Sequence, residues 1–169
     1  MYKIDKTDRE IVNLLMEDGR MSCAEIARRI GEAGGQISER AVRYRIERLQ
    51  QEGVIRVSAV VNPKSLGMAV VADVWVEVEA DAINEVAQKM LDYDCISYIA
   101  CSIGETDISV QVYAHDTAEV YHFVTEVLRK IPAVRKTTTS IVPIVLKDVY
   151  QWRIPASSCV EGSGAPTQA

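Results

Sequence analysis

The spacing of apolar residues changes near residue 54, and this change constrains the fold more than any other feature of the 169-residue sequence. Before residue 54, apolar side chains recur at the period of an α-helix with one buried face. After it, valine-rich runs alternate apolar and polar residues, as in β-strands that bury one face. The sequence therefore predicts an α+β protein with a helical first part and a mixed second part.

Three short helices are predicted in the first part, each beginning at a residue that can accept a backbone N–H of the first turn. Asp5 or Thr7 caps the first helix, Ser22 the second and Ser38 the third. The run VIRVSAVV at 54–61 then predicts a strand or hairpin. Three helices followed by such strands are typical of a winged helix–turn–helix, whose third helix enters the major groove of DNA.

The third helix has a charged face opposite its apolar one. At 100° per residue, Val42, Ile46 and Leu49 point toward the core. The predicted DNA-binding residues are Ser38, Arg40, Arg43, Tyr44, Arg45 and Arg48. Arginine binds phosphates and guanine edges, and tyrosine can donate to a phosphate. Arg45 lies nearest the core edge, where it reaches a phosphate or packs its stem. The alternative is a solvated arginine face without a ligand.

Charge is distributed unevenly along the chain. The net charge of −5 argues against nonspecific nucleic-acid binding, yet residues 28–48 hold six arginines and three glutamates. Four cysteines without C-x-x-C spacing are expected to be free thiols, and neither His115 nor His122 is expected to bind metal or catalyse a reaction. With no apolar run of membrane-spanning length and no apolar leader in MYKIDKTDRE, a cytoplasmic protein is expected.

The second part is predicted to contain strands and helices in the order β-α-β-β-α-β, which is typical of a ferredoxin-like sandwich. Glycine at 104 and glutamate at 105 predict a short hairpin turn between the two middle strands. The predicted divisions are a winged helix–turn–helix at 1–61, a linker at 62–69, a ferredoxin-like effector and oligomerisation domain at 70–154, and a disordered tail at 155–169.

Five stretches in this order give the sequence a specific resemblance to the Lrp/AsnC (leucine-responsive/asparagine regulator, feast/famine) family of transcription factors. They span roughly residues 4–142 and read IDKTDREIVNLLMEDGRMSCAEIARRIG, ISERAVRYRIERLQQEGVI, VVNPKSLG, IGETDISVQVY and PAVRKTTTSIV. The resemblance implies a sequence-specific regulator of transcription that binds double-stranded DNA. It also implies homodimers formed through the C-terminal sheets and larger assemblies such as octamers.

The resemblance further implies an effector site between neighbouring dimers, built from a G-x-x-D hairpin and a threonine-bearing strand. Gly104 and Asp107 match the hairpin, and Thr137 and Thr139 match the strand. A glycine lets backbone N–H groups approach a carboxylate, and an aspartate can pair with an ammonium group, which suits an amino acid. No other cofactor is expected. The residues alone equally allow a tight hairpin at Gly104, a capping role for Asp107 and ordinary edge-strand threonines.

The sequence departs from the family pattern in the long turn at 32–36 and in the extension PIVLKDVYQWRIP. The alternative function is an enzyme on the same scaffold, resembling siroheme decarboxylases. Such an enzyme would be expected to place histidine and arginine around the C-terminal pocket. The second part offers only two histidines and three arginines, so the regulator is favoured. A module that binds only protein is the third hypothesis, and the arginines argue against it.

Overall fold

The computed structural model describes residues 2–160 and divides them into two units. The first unit contains residues up to Val60 and those from Lys147 onward, and the second spans Val61–Leu146. Each unit has its own cluster of buried apolar residues. No helix of the described residues is long and apolar enough to cross a membrane.

The first unit contains the three predicted helices. They are α1 Lys6–Glu17, α2 Cys23–Glu32 and α3 Glu39–Gln51. Asp5, Ser22 and Ser38 cap them through side-chain oxygens, which confirms Ser22 and Ser38 and selects Asp5 over Thr7. The buried centre of the three helices is formed by Ile11, Ile26, Ile30 and Val42.

The strand or hairpin predicted at 54–61 is absent from the structure. Strand pairing within residues 2–160 occurs only in the sheet of the second unit, and 54–61 pairs with no described segment. Val57, Val60 and Val61 are instead 43, 60 and 65% exposed. Extended backbone becomes a strand only where a neighbour supplies ladder hydrogen bonds, and the described part of one chain supplies none here.

The second unit has the predicted β-α-β-β-α-β order. Its elements are β1 Val70–Val78, α4 Ile83–Met90, β2 Ile96–Cys101, β3 Ile108–Ala114, α5 Thr117–His122 and β4 Val134–Val142. All neighbouring strands pair antiparallel, in the order β2-β3-β1-β4, which confirms the ferredoxin-like sandwich. A π-helical turn at Phe123–Val127 continues α5. The loop between β2 and β3 spans 102–107, which is longer than the predicted turn.

The two faces of the sheet differ in burial. Val74 and Val76 of β1 are fully buried in the cluster that includes Val86 of α4 and Val120 of α5. Trp75 points to the opposite face because side chains alternate along a strand, and it pairs in register with Ser109 and Thr138. That opposite face carries the larger and more polar side chains of β1.

The C-terminal segment from Lys147 to Val160 groups with the first unit, whereas the sequence predicted that the second domain extends to residue 154. The Arg9 Nε–H donates to the Ile154 carbonyl at 2.8 Å, and the Val160 N–H donates to the Ile4 carbonyl at 2.8 Å. The backbone groups of Ile154 and Val160 therefore have hydrogen-bond partners in the first unit. Val160 lies within the tail that was predicted to be disordered from residue 155. Of that predicted tail, 161–169 lie outside the described residues. The predicted linker contains a 3₁₀ turn at Pro63–Leu66.

Candidate nucleic-acid interface

The helical cap and the core positions orient α3. The Ala41 N–H donates to the Ser38 hydroxyl oxygen at 3.2 Å, which fixes where α3 begins. Val42 and Leu49 are 0% exposed, so the helix buries the predicted face. The opposite side, called here the solvent face of α3, exposes Arg40, Arg43, Tyr44, Glu47, Arg48 and Gln51. Four of the six predicted DNA-binding residues therefore lie on one accessible helix face, and exposed Ser38 caps that helix.

The arginines of the solvent face differ in what they contact. Arg43 Nη2 donates to Glu39 at 2.9 Å, an exposed pair one turn apart. Arg48 lies over the ring of Tyr2, with its guanidinium carbon 5.0 Å from the ring centroid. Arg40 forms no ion pair or side-chain hydrogen bond with any residue from 2 to 160. Because exposed ion pairs contribute little to stability, a DNA phosphate can displace Glu39 from Arg43.

Arg45 does not lie free on this face. Its Nη1 donates to Asp5 at 2.8 Å and to Asp8 at 2.6 Å, and Asp8 is only 1% exposed. The contact fastens α3 to the beginning of α1. Burial alone raises the pKa of Asp5, but the Asp8 backbone N–H and Arg45 outweigh it and hold the pKa below its usual range. To reach DNA, Arg45 would have to break these two partly buried ion pairs, unlike the residues of the solvent face.

The two arginines of α2 are held by carboxylates. Arg28 and Arg29 both donate to Glu25, at 2.7 and 3.1 Å. These hydrogen bonds lower the pKa of Glu25 to about 2. Arg28 also pairs with Glu32, and Arg29 lies 3.4 Å from Glu17. Much of the positive charge counted in residues 28–48 is thus neutralised locally, and the unpaired part is on α3.

Two glycines shape the long turn between α2 and α3. Gly34 has φ of +87°, where side chains are disfavoured, and its N–H donates to the Gly31 carbonyl at 3.0 Å. A Cβ at Gly35 would lie 2.7 Å from Cγ2 of the buried Ile30. The turn is therefore packed closely against the end of α2.

The residues predicted to bind an effector lie around the end of β1. The Asp107 N–H donates to the Val76 carbonyl at 3.0 Å, and one Asp107 carboxylate oxygen accepts the Val78 N–H at 2.8 Å. This carboxylate thus has a structural task, as one of the sequence-based alternatives proposed. Gly104, with φ of +153°, lies exposed in the same loop.

The threonines lie on the other side of β1. Thr137 pairs in register with Val76, and Thr139 pairs with Val74. Because β1 lies between β3 and β4, two strand spacings, or roughly 10 Å, separate Thr137 from β3. The structure therefore brings Thr137 and Asp107 to the same end of the sheet. A shallow groove of about 480 Å³ between α4 and the continuation of α5 contains none of the four predicted effector residues.

Sequence reasoning missed the roles of Tyr2 and Asp8. Asp8 lies three residues after the cap Asp5, and the two form a reciprocal capping box. The D-x-x-D spacing was the available signal for that box. Nothing in the sequence shows that Asp8 also accepts from Tyr2 and Arg45. Among the described residues, no group of three or more His, Cys, Asp or Glu side chains is placed to hold a metal ion.

Two family profiles match the chain. One, described as winged helix-turn-helix DNA-binding, covers residues 4–56. The other, described as Lrp/AsnC ligand binding domain, covers residues 71–151. Their order agrees with the two units seen in the structure.

Individual proteins match over most of their length. An uncharacterized HTH-type transcriptional regulator of Pyrococcus horikoshii is 37% identical over 149 residues, which cover 88% of this chain and 91% of that protein. The HTH-type transcriptional regulator LrpA of the same organism is 30% identical over 145 residues, covering 85% of this chain and 99% of that protein.

Solved structures share the fold. Escherichia coli AsnC superposes with a TM-score of 0.78 at 24% identity, covering 88% of this chain and 99% of that one. A Neisseria meningitidis transcriptional regulator crystallised with L-Met gives a TM-score of 0.79 at 24% identity, covering 90% of this chain and 96% of that one. At this level of identity, these likenesses establish the architecture.

Proposed function

The chain belongs to the Lrp/AsnC family of DNA-binding transcriptional regulators, and we propose that it binds its DNA sites through the solvent face of α3. The observation that carries the proposal is the state of the donors on that face. Arg40, Tyr44 and Arg48 are exposed and give no side-chain hydrogen bond to residues 2–160, and Arg43 pairs only with exposed Glu39. Such donors can reach phosphates and base edges without breaking a buried interaction.

Selection of bound sequences from a random duplex pool, at two salt concentrations, tests this proposal. We expect an enriched two-fold-symmetric sequence whose binding weakens as salt rises, because phosphate contacts release counterions. The Arg40→Ala and Tyr44→Ala variants should enrich it less. Failure of the wild-type chain to enrich any sequence would contradict the proposal.

We further propose that the chain works as a homodimer that assembles into larger oligomers such as octamers. A two-fold-symmetric operator requires two copies of α3, and family resemblance supports assembly through the sheet face that carries Trp75. Sedimentation velocity of wild type and Trp75→Ser tests this: the variant should shift toward monomer. An unchanged distribution would place the interface elsewhere.

We propose that the protein, as a DNA-binding regulator of transcription, acts in the cytoplasm.

We also propose that an amino acid modulates DNA binding from a site built around Gly104, Asp107, Thr137 and Thr139. The description of the matching profile as a ligand-binding domain supports a small-molecule site, and the L-Met bound to the Neisseria meningitidis protein makes amino acids the first class to test. The Asp107 carboxylate keeps one oxygen without a partner within residues 2–160, which can accept from an ammonium group.

Calorimetric titration with the individual amino acids, methionine included, tests the effector site. Thr137→Val and Thr139→Val should weaken the binding of whichever amino acid binds wild type. Thr117→Val is the control, because Thr117 is an exposed threonine at the start of α5 and lies outside the sheet. Equal loss in all three variants would contradict the assignment.

The siroheme decarboxylase-like alternative would instead predict that the protein binds a tetrapyrrole. The relatives are named transcriptional regulators, which disfavours this alternative.

A further inference from the structure

Arg48 is held differently from the other paired arginines of α2 and α3. Arg28, Arg29, Arg43 and Arg45 each give at least one N–H to a carboxylate. Arg48 lies 5.0 Å from the centroid of the Tyr2 ring, a distance at which a cation is attracted by the π-system. It gives no N–H to any side chain from residues 2–160. The ring therefore holds the guanidinium while leaving its hydrogen-bond donors available.

Tyr2 is itself fixed by a buried carboxylate. Its hydroxyl donates to Asp8 Oδ2 at 3.0 Å, while Arg45 donates to the other oxygen of Asp8 at 2.6 Å. Burial and the bond to Asp8 raise the pKa of Tyr2 above its ordinary value. Because Asp8 is 1% exposed and part of the α1 capping box, the position of the ring is tied to the helical framework.

The Asp8 carboxylate thus restrains two arginines of α3. Arg45 contacts Asp8 directly, and Arg48, one turn further along the same helix, is reached through Tyr2. A freely rotating arginine loses side-chain entropy when it binds a phosphate. An arginine already restrained on the exposed helix surface loses less, so it binds more tightly for the same contacts.

We propose that Tyr2 is a positioning residue for DNA binding, whose ring, anchored on Asp8, holds the Arg48 guanidinium ready for a phosphate of the duplex. This inference rests on the proposed function, because it assigns Arg48 to the DNA-contacting face. It adds a part of the chain outside the helix–turn–helix, the segment before α1, to the determinants of affinity.

A double-mutant cycle tests whether Tyr2 acts through Arg48. The duplex affinity of wild type, Tyr2→Ala, Arg48→Ala and the double variant is measured by fluorescence anisotropy at several salt concentrations. Arg48→Ala should weaken binding about 5-fold and reduce the salt slope by about one unit. Tyr2→Ala should weaken binding about 3-fold in wild type and not at all in the Arg48→Ala background. Tyr2→Phe, which keeps the ring but loses the hydroxyl that binds Asp8, should weaken binding less than Tyr2→Ala does.

A second readout requires no DNA. The ¹⁵N order parameter of the Arg48 Nε–H should fall in Tyr2→Ala and fall less in Tyr2→Phe, which keeps the ring but not its bond to Asp8. Tyr121→Ala, which changes an exposed tyrosine of the second unit, should leave it unchanged. An unchanged order parameter in Tyr2→Ala would overturn the positioning role. Equal weakening by Tyr2→Ala in both backgrounds of the cycle would overturn it as well. Failure of wild type to bind any duplex would instead overturn the proposed function.

Discussion

Asp8 is the residue on which the polar contacts of the first unit converge. Its carboxylate accepts from the Tyr2 hydroxyl, the Asp5 N–H and Arg45, and it is almost fully buried. A buried carboxylate is tolerated only when its oxygens have such partners. The three contacts also link the segment before α1 to both α1 and α3.

Replacement of Asp8 by alanine should destabilise the first unit by about 3 kcal/mol, because Arg45 loses a buried partner and the capping box is broken. Trp152 lies in the first unit and Trp75 in the second. In a Trp75→Phe background, Trp152 is the one remaining tryptophan, and its fluorescence follows the unfolding of the first unit by denaturant. Glu47→Ala, on the solvent face of α3, is the control and should change stability by less than about 0.5 kcal/mol. Equal effects of the two substitutions would contradict the role of Asp8.

Asp5 gives a prediction of pH dependence. Its pKa is lower in the folded state than its ordinary value of 3.8, so the ionised form stabilises the fold. That stabilisation is complete above the unfolded pKa and is lost as the pH falls through the folded pKa. Asp5→Asn keeps a capping oxygen but removes the charge that pairs with Arg45. The stability difference between wild type and Asp5→Asn should be constant from pH 7 to about 5 and shrink below about pH 4. A difference that stays constant from pH 7 down to the lowest pH at which both variants fold would contradict this assignment.

The limits of sequence-based prediction are clear from these residues. The angular position of Arg40, Tyr44 and Arg48 on α3 follows from the helical period and the apolar positions, and their exposure agrees with it. The partners of Arg45 did not follow. Asp5 and Asp8 lie 40 and 37 residues away in sequence, and only tertiary packing brings them together.

The turn between α2 and α3 depends on close packing at Gly35. A methyl group there would lie 2.7 Å from Ile30 Cγ2 and 3.1 Å from the Ile30 carbonyl oxygen. Gly35→Ala should therefore destabilise the first unit by about 1–3 kcal/mol. Gly31→Ala is the matched control, because Gly31 lies within α2 and a Cβ there meets nothing within 4 Å. It should be neutral or stabilising by up to about 1 kcal/mol. Thermal unfolding of the two variants measures both effects, and a stable Gly35→Ala would contradict the close contact.

The segment from Lys147 to Val160 is attached to the first unit by few contacts. Arg9 holds the Ile154 carbonyl at 2.8 Å, and Arg153 lies 3.6 Å from Glu17. Arg9→Ala should increase the rate of tryptic cleavage after Lys147 and Arg153 about 5-fold, because the segment detaches more often. Arg20→Ala, another arginine of the first unit, should leave that rate unchanged. Equal rates in wild type and Arg9→Ala would show that this hydrogen bond does not retain the segment.

The strands of the second unit were predictable, whereas the structures of 54–61 and of the C-terminal segment were not. The strands of the ferredoxin-like sheet follow from their alternating pattern, and the structure pairs all four. The run 54–61 has the same pattern, yet no described segment of the chain pairs with it. The end of the C-terminal segment, from residue 155, has a small and polar composition that resembles a disordered tail. Its order depends on the Ile4 and Arg9 groups, which the composition of the segment does not reveal.

The whole molecule is acidic, with a net charge of −5, but the surface proposed to meet DNA carries its arginines on one helix face. The negative charge of the second unit disfavours nonspecific attraction to DNA, so the local field of α3 must supply binding. The predicted binding therefore depends strongly on salt and on a small number of side chains.

The most direct test is the salt dependence of affinity for the selected duplex, compared among wild type, Arg40→Ala and Arg129→Ala. Both variants remove one exposed positive charge, but Arg129 belongs to the second unit and not to α3. We predict that log K falls linearly with log salt, that Arg40→Ala weakens binding and reduces the slope by about one unit, and that Arg129→Ala matches wild type. Equal effects of the two substitutions, or binding that does not depend on salt, would contradict DNA binding by the solvent face of α3.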